Sequence, residues 1–123
     1  MDKKFLEVMA HEGPVTIITI NAQPAGVVNT WMSYVKIDQE KNQLFIPAAG
    51  MRSIEKHFEL DNTVLLTVGS KEVEGTMGPG AGFHILGKGT FIDAGEVYED
   101  VKTRFPWVRE VLQVDIESIT QKI

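Results

Sequence analysis

Along residues 2–12 the apolar positions Phe5, Val8 and Met9 recur at three- and four-residue spacing, which predicts a short amphipathic helix stopped by Gly13-Pro14. From Val15 the pattern changes. Residues 15–20 are β-branched throughout, NAQPAG supplies a turn, and residues 27–36 read as a longer strand ended by the polar stretch DQEKNQ. A third strand is predicted over 44–48. Helical spacing then returns in Ile54 and Phe58, behind a glycine-containing entry and closed by Asp61-Asn62. Residues 64–68 form a buried-looking strand and TMGPGAG a glycine-rich loop. Residues 83–92 form an extended run in which Gly87 and Gly89 mark a bulge or bend. A helix over 95–105 ends at Pro106, and Leu112, Val114 and Ile116 alternate with Gln113, Asp115 and Glu117 in a last, half-exposed strand. The order is α, β, β, β, α, β, β, α, β. Six strands with short turns, and too few helices to cover both faces of a parallel sheet, predict a small, mostly antiparallel barrel flanked by helices.

Composition sharpens this picture in three ways. The 123 residues carry no linker or repeat, so residues 1–123 are read as one domain. A domain of this size buries roughly two-thirds of its unfolded surface, so a large ligand pocket calls for a second subunit to close it. The balance of 12 basic against 17 acidic residues, a net charge of −5, offers no basic stripe for nucleic acid. The absence of Cys excludes disulfides, thiolate metal sites, iron–sulfur clusters and thiol catalysis, so any redox chemistry needs a cofactor not held by cysteine. No window approaches 18 apolar residues and residues 1–13 lack a long apolar core, from which a cytoplasmic, non-membrane protein is expected.

Most motif-like stretches fail on their chemistry. Gly82-Phe-His-Ile-Leu-Gly87-Lys88-Gly89 approaches a phosphate-binding P-loop, but Gly stands where Ser or Thr must hold magnesium, and FHIL reads as strand. His11, His57 and His84 are too scattered for a metal site; no Ser lies in a nucleophile elbow, no carboxylates pair, and no catalytic residue is assigned. Two features remain. In Pro47-Ala48-Ala49-Gly50-Met51-Arg52-Ser53 a strand delivers a turn onto a helix start, where free N–H groups, the Arg52 fork and the Ser53 hydroxyl suit a phosphate. A plain Ser cap reads the same residues equally simply. Asn29-Thr30-Trp31 places polar groups inside an apolar strand, where they need either a ligand or a wet face.

Four blocks then carry a family resemblance: Phe5-Leu-Glu-Val-Met-Ala-His-Glu12-Gly13, VNTWMSYVK over 28–36, the PAAGM turn over 47–51, and GPGAGF over 78–83. In these, the chain resembles the small FMN-binding proteins of the split β-barrel superfamily, which includes pyridoxamine 5′-phosphate oxidase and flavin reductase-like proteins. The resemblance implies a six-stranded antiparallel split β-barrel with Greek-key order, a homodimer, and FMN held non-covalently near the subunit interface. Asn29, Thr30 and Trp31 would line the ribityl chain and ring. Pro47, Ala48, Ala49 and Gly50 would follow the flavin edge, and Met51, Arg52 and Ser53 would receive the phosphate. Glu12, Trp107 and Ile123 resemble positions that approach the flavin, some across the dimer. Gly82 belongs to a loop suited either to close backbone approach or to a tight turn. The implied activity is electron transfer with an unidentified redox partner protein; a flavin reductase-like or pyridoxamine 5′-phosphate oxidase-like oxidoreductase is the alternative.

Overall fold

A computed structural model describes residues 1–123. Helix α1 (Lys3–Met9) starts where the Asp2 carboxylate accepts hydrogen bonds from the N–H groups of Lys4 and Phe5, at 2.7 and 3.1 Å. Its Phe5 and Val8 are fully buried, as the spacing predicts. The strands are β1 (Pro14–Ile18), β2 (Val27–Trp31), β3 (Lys36–Asp38), β4 (Gln43–Ala48), β5 (Thr63–Glu74), β6 (Pro79–Ile92) and β7 (Glu110–Gln121). Helix α2 (Arg52–His57) lies between β4 and β5, and α3 (Glu96–Arg104) between β6 and β7.

All seven strands belong to one antiparallel sheet, in the order β2-β1-β5-β6-β7-β4-β3. The strand count is therefore seven, where six were expected. The difference lies in residues 27–36, expected as one strand. Met32 is buried in the main core, its N–H donates to the Gly13 carbonyl at 2.8 Å, and Met32–Tyr34 wind into a 3-10 turn between β2 and β3. Burial of Met32 and the Gly13 bond override the extended preference of the surrounding residues.

The same turn shapes the molecule. β2 and β3 are the two edges of the sheet, yet only a few residues of chain separate them, and a 3-10 turn advances about 2 Å per residue. The edges must meet, so the sheet curls on itself around a core of sixteen buried residues that includes Ile17, Ile46, Leu66, Phe83 and Ile85. Helix α1 packs against this core through Phe5, whose ring meets Phe83 edge-on at 5.7 Å. A smaller cluster of Phe45, Tyr98, Val101, Val108 and Val111 seats α3 outside.

The two glycines flagged in β6 have different reasons. Between Leu86 and Gly87 the register with β7 shifts, and a Cβ on Gly87 would lie 2.4 Å from the Asp115 carbonyl oxygen. Gly89 instead leaves room for the Phe58 ring, 2.4 Å from where its Cβ would be. The glycine-rich stretch is shorter as a loop than its composition suggests, because β6 begins at Pro79 and includes Gly80 and Gly82.

Candidate functional site

Where the sheet edges approach, a cleft of about 350 Å³ opens. One wall is β2 with Val28, Asn29, Thr30 and Trp31; the other is the end of β4 and its loop, with Pro47, Ala49, Gly50 and Met51; Tyr34 and Trp107 complete it. Its size falls within the range of small-molecule and cofactor sites. The Thr16 hydroxyl donates to Asn29 Oδ1 at 2.6 Å, which orients the Asn29 amide and leaves its NH₂ free. Trp31 and Trp107 are each about half exposed, at 49%. Tyr34, Phe105 and Trp107 form an aromatic cluster with centroids 4.9 to 5.9 Å apart, and the Arg104 guanidinium lies over Phe105 at 4.9 Å.

The opposite wall is a turn rich in unused donors. Met51 adopts a left-handed conformation (φ 64°, ψ 26°), which a non-glycine residue holds only at a cost, and its side chain is fixed by packing against the main core. Gly50 and Met51 donate no backbone hydrogen bond within the chain, and the first turn of α2 adds the free N–H groups common to helix starts. Met51 is the N-cap of α2, with Arg52 and Ser53 next, so Ser53 does not serve as the plain cap that its position suggested. Both side chains are exposed.

Arg109, at the start of β7's approach, ties this turn down from behind. Its Nε donates to Ala49 O at 3.1 Å and its Nη2 to Gly50 O at 2.9 Å. The same group pairs with Glu55 at 2.8 Å and, through Nη1, with Glu110 at 3.2 Å. Hydrogen bonding to Arg109 holds the Glu55 carboxyl below its ordinary range, whereas burial, reinforced by Glu55, pushes Glu110 up. One oxygen of Glu110 is buried without a partner.

Of the remaining expected residues, Ala48 is buried in β4 directly before the cleft turn. Glu12 does not line the cleft. Its carboxylate accepts from the Ser33 hydroxyl at 2.6 Å, the Ser33 N–H at 3.0 Å and the Gly13 N–H at 3.1 Å, and so holds the 3-10 turn between Trp31 and Tyr34. Gly82 and Ile123 pair with each other, Gly82 N–H to Ile123 O at 3.3 Å, and neither lines the cleft. Sequence reasoning missed Tyr34 as a wall residue, although it lies within the VNTWMSYVK block, and missed Arg109, for which no local signal exists.

The Ser33 bonds, first the hydroxyl and then the N–H, lower the Glu12 carboxyl below its ordinary value of 4.5. A folded-state value below the unfolded one contributes stability that is present above pH 4.5 and is lost as pH falls through the lowered value. Urea midpoints of the wild type should exceed those of Glu12→Gln at pH 7, with the gap closing below pH 4.5. A gap that is constant or widens on acidification contradicts the assignment.

The FMN-binding protein of Nitratidesulfovibrio vulgaris (strain DSM 19637 / Miyazaki F) is 38% identical over 119 residues, spanning 97% of this chain and 96% of that one. The chain belongs to the family of small FMN-binding proteins. Among solved structures, HupZ of Group A Streptococcus superposes with TM-score 0.74 at 12% identity, over 98% of this chain and 93% of its own. An FMN-binding protein from Syntrophomonas wolfei subsp. wolfei gives 0.67 at 12% identity, over 89% and 76%. At such identities these two relate the split-barrel fold alone. No family profile matches the chain. Within this FMN-binding family, the present chain has a cleft wall with no His, Asp, Glu, Lys or Arg; its charges stand behind or beside the turn.

Proposed function

We propose that this chain binds FMN non-covalently in the cleft and acts as an electron carrier. The observation that carries the reading is the pairing of an aromatic wall (Trp31, Tyr34, Trp107) with a turn whose Gly50 and Met51 N–H groups have no partner, in a chain 38% identical to an FMN-binding protein. A flat heteroaromatic ring with carbonyl edges suits both walls. Asn29 and Thr30 offer an amide and a hydroxyl to a polyhydroxyl chain, and Arg52 with Ser53, just beyond Met51, offers charge and hydroxyl to a phosphate. Bound FMN supplies one- and two-electron redox chemistry; the protein supplies orientation and electrostatics.

A homodimer is part of this reading. Val27, Trp31, Trp107 and Ile123 are each roughly half exposed, an apolar set that a second subunit would cover. The pairing of Gly82 with Ile123, and the exposed Glu12, all outside this cleft, fit a role at the partner's cofactor.

The openness of the cleft beside Trp31 and Trp107 favours one second reading, a flavin reductase-like oxidoreductase with a substrate stacked on the exposed ring face. A pyridoxamine 5′-phosphate oxidase-like activity fits less well, because no basic side chain lines the cleft to grip a second phosphate. The test is an absorbance spectrum of the purified protein with and without added FMN, followed by anaerobic addition of NAD(P)H and by equilibrium sedimentation. Bound flavin bands, slow reduction by NAD(P)H and a mass twice 13.7 kDa are expected. Failure to bind FMN removes the reading, and fast direct reduction moves the chain to the reductase class.

A further inference from the structure

We propose that Arg109 is the positioning residue of the cofactor turn: it holds the Ala49 and Gly50 carbonyls behind the cleft and so commits the Gly50 and Met51 N–H groups to the ligand side. The proposal rests on the FMN reading above for its ligand, but its structural half stands on this chain alone.

Three facts converge on this one side chain. Arg109 donates to both consecutive carbonyls, through Nε at 3.1 Å and Nη2 at 2.9 Å, a span that matches the planar fork of a guanidinium. Its own backbone N–H donates to Ala48 O at 2.9 Å, so three successive carbonyls of the turn end on one residue. The fork is itself held by Glu55 from α2 and Glu110 from β7, at 2.8 and 3.2 Å. The carboxylates thus fix the guanidinium, and the guanidinium fixes the turn.

The consequence for the cleft is geometric. A peptide unit whose carbonyl is held on one side presents its N–H on the other, because the six atoms of the unit are coplanar and trans. Anchoring Ala49 O and Gly50 O therefore aims the following N–H groups, those of Gly50 and Met51, away from Arg109, and neither has a partner in the chain. Met51 in turn sits in the left-handed region, which an unanchored turn would leave. Arg109 touches no ligand on this account; it acts through the turn.

Lysine tests the fork specifically. Arg109→Lys keeps a positive charge between Glu55 and Glu110, but one ammonium cannot bridge two carbonyls and two carboxylates in a plane. Arg109→Ala removes the contact altogether and leaves the two carboxylates facing each other. In flavin-free protein, backbone 15N relaxation should show Gly50 and Met51 ordered in the wild type, with order parameters near about 0.85, and falling below about 0.6 in either variant. With flavin, both variants should weaken FMN and riboflavin by a similar factor, on the order of tenfold. The loss is shared because the Gly50 and Met51 N–H groups meet the carbonyl edge of the ring, in place of the phosphate role expected for Met51, which leaves the phosphate to Arg52 and Ser53. If Arg109→Ala does not fold, Arg109→Lys alone decides. Unchanged order at Gly50 and Met51 together with unchanged flavin affinity overturns the proposal. A wild type that is ordered at Gly50 and Met51, loses that order in the variants and yet binds no flavin would instead remove the FMN reading while leaving the clamp intact.

Discussion

Replacing Phe83 by alanine should lower the unfolding free energy by about 3–5 kcal/mol, the cost of removing a buried aromatic ring and leaving part of its volume empty. Phe83 is 1% exposed, lies in the middle of the sheet on β6 and meets the fully buried Phe5 ring edge-on. The substitution therefore removes core packing and the aromatic contact between α1 and β6 at once. Against a total of about 5–15 kcal/mol for a domain, this is about a fifth of the stability or more. In urea, with a slope of about 2 kcal/mol/M, the midpoint should fall by roughly 2 M. Phe83→Leu, which refills most of the volume, should recover the larger part. A loss below about 1 kcal/mol for Phe83→Ala would show that the core does not close around this ring. The effect reaches the cleft, because α1 leads directly into Glu12 and Gly13, and these two residues hold the turn between Trp31 and Tyr34.

The combined substitution Arg52→Ala and Ser53→Ala should weaken FMN by roughly a hundredfold while leaving riboflavin nearly unchanged. The reasoning is one of charge supply. The chain carries a net charge of −5 and must hold a phosphate dianion. Arg109, the other guanidinium beside the turn, is committed to two carbonyls and two carboxylates, so it has little left to offer. Arg52 and Ser53 follow Met51 without side-chain partners of their own, which leaves the phosphate to them. Two hydrogen bonds to a charged group are together worth about 3 kcal/mol or more, or roughly two decades in affinity. Because both side chains are exposed, the difference between FMN and riboflavin should shrink as salt rises. Parallel titrations of the two flavins into wild type and double variant read this directly; equal losses for both would remove Arg52 and Ser53 from the phosphate role.

Much of this protein was readable from local pattern. The Phe5, Val8 and Met9 face, the β-branched run after Pro14 and the alternation of Leu112, Val114 and Ile116 each record a single neighbouring surface, and hydrophobic burial imprints that surface at a fixed period. Gly87 marked a bulge because only glycine clears the Asp115 carbonyl there. Asn29 and Thr30 stood out because their polarity had no local use, and residues 47–53 because a strand there delivers a turn onto a helix start; the structure brings β2 and the 47–51 turn to one cleft.

The rest depended on contacts between residues far apart in sequence. Whether 27–36 is one strand or two depends on Met32 reaching a core built from α1, β1, β4, β5, β6 and β7 and on a bond to Gly13, nineteen positions back. Met51, not Ser53, caps α2, because its side chain finds the core. Arg109 meets Ala49 and Gly50 across sixty and fifty-nine residues of chain. A long-range pair leaves no periodic trace in either segment, since its energy depends on where the fold brings two ends and not on the residues beside them. The sequence by itself determined most of the elements, that any redox cofactor is held without cysteine, and the two stretches that later meet at the cleft. Only the tertiary structure decided that the sheet closes edge to edge, that a cleft opens at the seam, and that one arginine holds the turn facing into it.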